Sequence, residues 1–288
     1  MSALARQRQE RILEQTRRDG GVRVSELVDA LGVSDMTVRR DIAQLADRGL
    51  VIRVHGGATL ADAPHSSFEP AFRTKLGEER EEKLAIARTA AELVAPGSSV
   101  ALSAGTTTLA LAEQLREVPD LTVVTNSVPV ADALFDPDRR DRVVVLTGGT
   151  RTPSDALVGP VAVQALRDLH VDLLFLGVHG FSERTGCTSP NMTEAATNRA
   201  LIAAAGKTVV VADHTKLRLV GLATILGLDE VDVLVSDHGL AEDDRAMLSS
   251  HVGRLLVAPR PGDTHHHTHH DTHHDDAPDG LRGKEPVP

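Results

Sequence analysis

Five short apolar runs in this 288-residue chain are each followed directly by glycine, hydroxyl, amide or charge. Gly105-Thr106-Thr107-Thr108 comes after Val100–Leu102 and opens a helical stretch. The free N–H groups and positive end of such a helix, with three hydroxyls beside them, suit an anion, above all a phosphate. Thr125-Asn126-Ser127 follows Leu121–Val124. Gly148-Gly149-Thr150-Arg151 follows Val143–Leu146, and Arg151 there is a fixed cation able to grip a phosphate through paired N–H bonds. Gly177-Val178-His179-Gly180 ends the run Val171–Val178, and Asp213-His214-Thr215-Lys216 follows Val209–Ala212. Any one of these is an ordinary loop. Gathered on one sheet edge, they predict a pocket for a phosphorylated polyol, lined by Gly105, Thr106, Thr107, Thr108, Asn126, Ser127, Gly149, Arg151, His179, Asp213 and Lys216.

A second set of residues suits DNA. Ser34 can cap a helix running to about Arg48, after the tight turn Gly32-Val33. At 100° per residue, Val38, Ile42 and Leu45 form its buried stripe. Met36, Arg40, Ala43 and Gln44 fall on the opposite face, with Thr37 and Arg39 at the flanks. A guanidinium and an amide near a helix N-terminus are groups that reach base edges and phosphates in a major groove. Asp41 is adverse for DNA, and its angle suggests that it orients Arg39 or Arg40 instead. Leu50–His55, carrying Arg53 and His55, then reads as a short wing ending in Gly56-Gly57.

The elements that must position these groups fall into four zones. Residues 1–58 hold three short helices: Arg6–Arg18, then Glu26–Leu31 with Ser25 as its cap, then the helix after Ser34. Two helices joined by a Gly-containing turn make a helix-turn-helix. Residues 59–77, with Pro64 and Pro70, read as a connector. Residues 78–258 alternate β-branched runs with helices, starting from a helix over 78–94 that Pro96-Gly97 stops. Continuous apolar strands of this kind indicate a mostly parallel sheet covered on both faces, an α/β domain. Residues 259–288 have no apolar periodicity and are expected to be disordered.

Composition narrows the function classes. The formal net charge is −10, which read as an average argues against nucleic acid. Residues 1–60, however, hold 10 basic and 8 acidic residues, against 21 and 33 in the remainder. The two parts therefore need separate judgement. Cys187 is the single cysteine, so an intramolecular disulfide or a multi-cysteine metal site is excluded. Trp and Tyr are absent, which disfavours recognition by base stacking. No signal core or membrane span is evident, and a cytoplasmic protein is expected. Seven of the 14 histidines lie in His265–His274. That run would chelate transition metals in a test tube, but a solvated tail without a role is the preferred reading.

The N-terminal motifs resemble a known family. Val33-Ser34, Thr37-Val38-Arg39-Arg40-Asp41, Leu45, Gly49-Leu50 and Arg53-Val54-His55-Gly56-Gly57-Ala58 are similar to the reading domain of the DeoR family of bacterial transcription regulators. EKLAIA (82–87), AGTTT (104–108), TNS (125–127), LTGGTR (146–151), DLLFLGVHG (172–180), Glu194-Ala195 and ADHTK (212–216) resemble its sugar-binding domain. The resemblance implies a winged helix-turn-helix joined to a fold like that of ribose-phosphate isomerase and glucosamine-phosphate deaminase. It implies that Gly105–Thr108 take a phosphate, with Asn126, Arg151, His179, Glu194, Asp213 and Lys216 around the rest. It also implies an operator in double-stranded DNA, a phosphorylated-sugar effector, a homo-oligomer and no cofactor. Two departures stand out. Ser103 replaces the acidic residue common two places before the glycine, and Asn198-Arg199 replaces the usual Val/Ile-Lys. The alternative is a sugar-phosphate isomerase or deaminase using Glu194 or Asp213 with Lys216 or His179. The deaminase's Asp-Gly-His run and the isomerase's paired aspartates with a Lys-Gly-Gly loop are both missing, so a sensor is the preferred reading.

Overall fold

Thirteen residues, Asp35–Asp47, make the third helix of the chain, and its start follows from one hydroxyl. The computed structural model describes residues 3–19, 21–48, 50–54, 57–60 and 76–260. Within the first 60 residues the order is α1 (Ala3–Asp19), β1 (Gly21–Arg23), α2 (Val24–Leu31), α3 (Asp35–Asp47), β2 (Val51–Val54) and β3 (Gly57–Leu60). Ser34 caps α3, accepting the Thr37 N–H at 3.4 Å, as expected for a residue that satisfies a first-turn donor. Helix α2 begins at Val24, so Ser25 lies inside its first turn and is not its cap. Val38, Ile42 and Leu45 are all buried, against Ile12 of α1 and Leu27 of α2. The strands form an antiparallel sheet in the order β1-β3-β2, with Val54 paired to Gly57 across the wing turn. Strand β3 runs to Leu60, two residues into the segment read as connector.

A buried polar clasp ties α1 to α3. Asp41 is only 3% exposed and forms an ion pair with Arg8, while Gln9 donates to its other oxygen at 3.3 Å. Gln9 also donates to Gln44 at 2.7 Å and accepts from Arg48 at 3.4 Å. The expectation that Asp41 orients Arg39 or Arg40 is therefore corrected. Its side chain turns into the domain because an unpaired carboxylate near the core would be costly, and Arg8 supplies the charge that offsets it.

From residue 78 the α/β pattern holds. α4 (Arg80–Ala91) leads to β4 (Ser99–Leu102), α5 (Thr106–Gln114), β5 (Thr122–Thr125), α6 (Val128–Leu134) and β6 (Val143–Leu146). A small ribbon, β7 (Thr150–Arg151) and β8 (Leu157–Val158), precedes α7 (Pro160–Leu166) and β9 (Val171–Gly177). Then come β10 (Gly180–Ser182), β11 (Gly186–Ser189), α8 (Met192–Ala203), β12 (Ala205–Val211), β13 (Ala223–Leu226), β14 (Val233–Asp237), α9 (Glu242–His251) and β15 (Leu255–Ala258). Seven strands form one sheet in the order β15-β14-β12-β9-β4-β5-β6, every pair parallel. Both faces are apolar with a period of two. On β9, Leu174 and Leu176 join the core shared with α7, α8 and α9, while Phe175 joins the core under α4, α5 and α6. A second antiparallel sheet, β10-β11-β13, stands beside it.

The strand order reverses between β4 and β9. β4, β5 and β6 step outward one way, and β9, β12, β14 and β15 step outward the other. At such a switch point the loops diverge and leave a crevice at the carboxyl ends. Three of the five predicted strand ends, those of β4, β9 and β12, meet there.

Removing the carboxylate of the clasp tests the N-terminal unit. Asp41→Ala leaves Arg8 without its acceptor and Gln9 with Gln44 alone, and it should destabilise this unit by about 1–3 kcal/mol, because Arg8 keeps some access to water. Faster amide hydrogen exchange in α1 and α3, with β9 and β12 unchanged, is the expected result. Unchanged exchange in α3 would show that the clasp contributes nothing.

Candidate functional site

The floor of the crevice is the turn between β4 and α5. Gly105 is the N-cap of α5 and has no side chain to accept the first-turn N–H groups, and it lines the cavity with Thr106 and Thr107. Thr106 and Thr107 continue the floor. The cavity is only partly enclosed and is open to solvent. β9 ends in Gly177-Val178-His179 on one side, and β12 ends in Val211-Ala212-Asp213 beyond it. Helix α8 presents Glu194 and, four residues on, Asn198. Asn191 caps that helix by accepting the Thr193 and Glu194 N–H groups at 3.0 and 3.2 Å, which fixes where Glu194 stands. Lys216 completes the turn after β12. Seven predicted residues, Gly105, Thr106, Thr107, His179, Glu194, Asp213 and Lys216, thus meet in one cavity.

The other five lie outside the lining. Asn126 is fully buried beneath the floor: its oxygen accepts the Ala104 N–H at 3.0 Å and its nitrogen donates to Leu157 O at 3.1 Å. Thr108 is buried and donates back to Gly105 O at 3.0 Å. Ser127 is the buried N-cap of α6, accepting from Val130 N. Gly149 has φ 122° and packs so closely on Val158 that a Cβ would stand 2.6 Å from its carbonyl oxygen. Arg151 is on the exposed ribbon, bonded to Asp155 at 2.8 Å. The ribbon brings Ser154 to the cavity, and Arg151 does not line it. Both departures from the family pattern resolve as well. Ser103 is buried and accepts the Gly177 N–H at 2.9 Å, stitching β4 to β9. Arg199 donates to Thr224 O on β13 at 2.5 Å, away from the cavity.

The sequence reading missed Lys83. It lies on α4 one helical turn before Ile86 and Ala87 and two before Ala90, all three fully buried, so its side chain is on the core face. A lysine on a buried stripe was the available signal. It is 4% exposed, lines the cavity and donates to Glu78 O at 2.6 Å. Desolvation holds its ammonium below the usual lysine range, Asp213 opposes that shift, and Lys216 adds to it. The cavity therefore has two cations, Lys83 and Lys216, and two carboxylates, Glu194 and Asp213. Cys187 takes no part: burial pushes its thiol up to about 12. Among the described residues no cluster of histidine, cysteine, aspartate and glutamate could hold a metal ion.

On α3, Met36 is 79% exposed and Arg40 is exposed beside it. Arg39 is exposed and paired with Asp35 at 2.5 Å, an interaction weak enough for a phosphate to displace. Ser34 and Thr37 share a hydroxyl bond at 2.8 Å at the helix start. Gln44 is half-buried and its oxygen is taken by Gln9, so it is drawn toward α1, not aimed fully outward. Arg53 is in β2, but its side chain, like His55 and the His265–His274 run, lies outside the described residues.

Family models match in two parts. A DeoR-like helix-turn-helix domain covers residues 8–63, and the DeoR C terminal sensor domain covers residues 78–238. The chain is 38% identical over 250 residues to the HTH-type transcriptional regulator GlpR of Haloferax volcanii, covering 86% of this chain and 95% of that one. It is 34% identical over 233 residues to the HTH-type transcriptional regulator GolR of Listeria innocua, covering 81% and 90%. It is 31% identical over 232 residues to the glycerol-3-phosphate regulon repressor of Escherichia coli K12, covering 80% and 90%. A ribose-5-phosphate isomerase bound to phospho-erythronic acid aligns with a TM-score of 0.36 at 16% identity, over 48% of this chain and 54% of that one, too distant to bear on the site. No helix among the described residues is long and apolar enough to cross a membrane. With a reading domain and a sensor domain both matched in order, the chain belongs to the DeoR family of transcriptional regulators.

Proposed function

We propose that this chain represses carbohydrate-metabolism genes and that a phosphorylated sugar held in the cavity modulates its grip on the operator. The observation that carries this is the open N-terminus of α5 with two cations beside it and two carboxylates across from it. The backbone N–H groups of Gly105–Thr107 take the phosphate, and Lys83 and Lys216 balance its charge. Glu194, Asp213, His179 and Asn198 bond the hydroxyls. Asn126, Ser127, Thr108 and Gly149 support this shell from outside it. The names of relatives, a glycerol-3-phosphate regulon repressor among them, support the class of effector.

In this division of labour, residues 1–58 read DNA, 59–77 connect, 78–258 sense, and 259–288 form a tail without a required role. Met36, Thr37, Arg39 and Arg40 enter the major groove after Ser34, Gln44 steadies the helix, and Arg53 and His55 meet the backbone from the wing. Paired half-sites call for an even number of heads, so the working form is a homo-oligomer in the cytoplasm, where the operator is. The domain senses its ligand and does not turn it over. Incubation with phosphorylated sugars, followed by NMR, should show no conversion. Sustained turnover lost in Glu194→Gln would make it an enzyme.

Two sets of variants separate the halves. Arg40→Ala should weaken binding to a selected operator about 5–150-fold and leave effector affinity unchanged. Thr106→Asp, which puts a negative charge on the anion seat, should abolish effector binding and keep operator binding. Loss of both activities in both variants would remove the division. Lys83→Met gives a sharper check. Its charge is opposed by burial, so the variant should melt no lower than the parent without ligand, yet lose affinity for phosphate esters. Because the folded-state pKa is lowered, the unfolded chain holds more protons between that value and about 10.4, so parent stability relative to Lys83→Met should rise with pH there. Arg151→Ala, outside the lining, should change affinity less than about twofold.

A further inference from the structure

The turn that supplies Asp213 and Lys216 is short. It is a single 3-10 turn, His214–Lys216, closed by Lys216 N to Asp213 O at 3.0 Å and Leu217 N to His214 O at 3.2 Å. Those bonds shape the turn but do not aim it relative to the sheet. β10 holds the far end of the turn, where the Arg218 N–H donates to Phe181 O at 2.8 Å, and the next strand holds its start. Asp237 ends β14, which pairs with β12, and is completely buried. Its Oδ2 accepts the His214 N–H at 2.7 Å, and its Oδ1 lies 2.9 Å from His214 Nδ1. Oδ1 also accepts the Gly239 N–H at 2.8 Å. A carboxylate only accepts, so Nδ1 carries the proton and the ring orientation is fixed. The other side of the ring is closed by backbone. A Cβ at Gly239 would stand 2.4 Å from Nδ1, closer than any side chain tolerates.

We propose that Asp237 and His214, with Gly239 behind the ring, are positioning residues for the effector cavity: they aim the turn that presents Asp213 and Lys216 to the ligand. This rests on the effector reading above. A burial-only role for the carboxylate would leave the imidazole idle. Instead, His214, the residue between two cavity groups, makes two bonds to one buried carboxylate, through its backbone N–H and its ring, and Gly239 makes a third. Asp213 itself is then secured inside the turn, accepting from the Thr215 N–H at 3.1 Å and from the Thr215 hydroxyl.

The test uses the full-length chain and isothermal titration with inorganic phosphate, glycerol 3-phosphate, ribose 5-phosphate and fructose 6-phosphate, taking the tightest binder as probe. Melting is followed by circular dichroism. His214→Ala should cut probe affinity about 10-fold or more, with unliganded operator binding within about twofold of the parent. Gly239→Ala should lower both the melting temperature and the affinity, because its methyl collides with the ring. The double variant His214→Ala, Gly239→Ala removes the collision, so its melting temperature should recover while its affinity stays low. A structural role alone would restore both together. Affinity that recovers with the melting temperature, or His214→Ala binding within twofold of the parent, overturns the proposal. If the parent binds none of the four probes, the effector reading falls and the proposal with it. If the parent binds and Thr106→Asp does not, while all three clamp variants bind normally, only the clamp is wrong.

Discussion

A single buried amide holds the loop on which the cavity depends. Asn126 stands at the end of β5, with its oxygen on the Ala104 N–H and its nitrogen on the Leu157 carbonyl. Backbone at the carboxyl ends of a parallel sheet has left the ladder and must find partners elsewhere, or each orphaned group costs about 1–3 kcal/mol. Asn126 serves two such groups at once, from two loops on different sides of the crevice. Ser103 does a related job between β4 and β9, and Thr125 donates to Leu102 O at 2.7 Å. The floor Gly105–Thr107 rests on backbone that is already satisfied from below.

The reading domain meets a different constraint, that of charge. It carries carboxylates on the same helix that presents arginines, which a polyanion would repel. Two of them are held by neighbouring guanidinium groups: Asp35 by Arg39 at the surface, and Asp41 by Arg8 in the interior. The overall charge of −10 is thus a poor guide to the surface that meets DNA. Its acidic excess lies beyond residue 60, and Asp35 and Asp41 of the reading helix are neutralised locally.

Much of the fold was legible because its signals are periodic. All five apolar runs became strands of the one parallel sheet, since a strand covered on both faces has to be apolar throughout. The stripe Val38, Ile42 and Leu45 was legible for the same reason. Side-chain direction at loop ends was not. Asn126 and Arg151 have the chemistry of ligands, yet one points under the floor and the other out along a ribbon, and nothing in a linear motif distinguishes up from down. Asp41 shows the same limit, because its partner Arg8 is 33 positions away and no local rule links them. Lys83 was readable in principle as a charged residue on a buried face. Its purpose becomes visible only when Asp213 and Lys216 are brought across from the far side of the sheet.

The separation between support and lining has a consequence for how such a protein can change. Asn126, Ser103 and Thr108 spend their polar atoms on backbone, below the floor. Asn198, Ser154 and Glu194 face the cavity from other elements. Under the proposed function, exchanging the second group alters what is recognised without disturbing what holds the floor. Under that reading, specificity can drift by single substitutions on an unchanged scaffold.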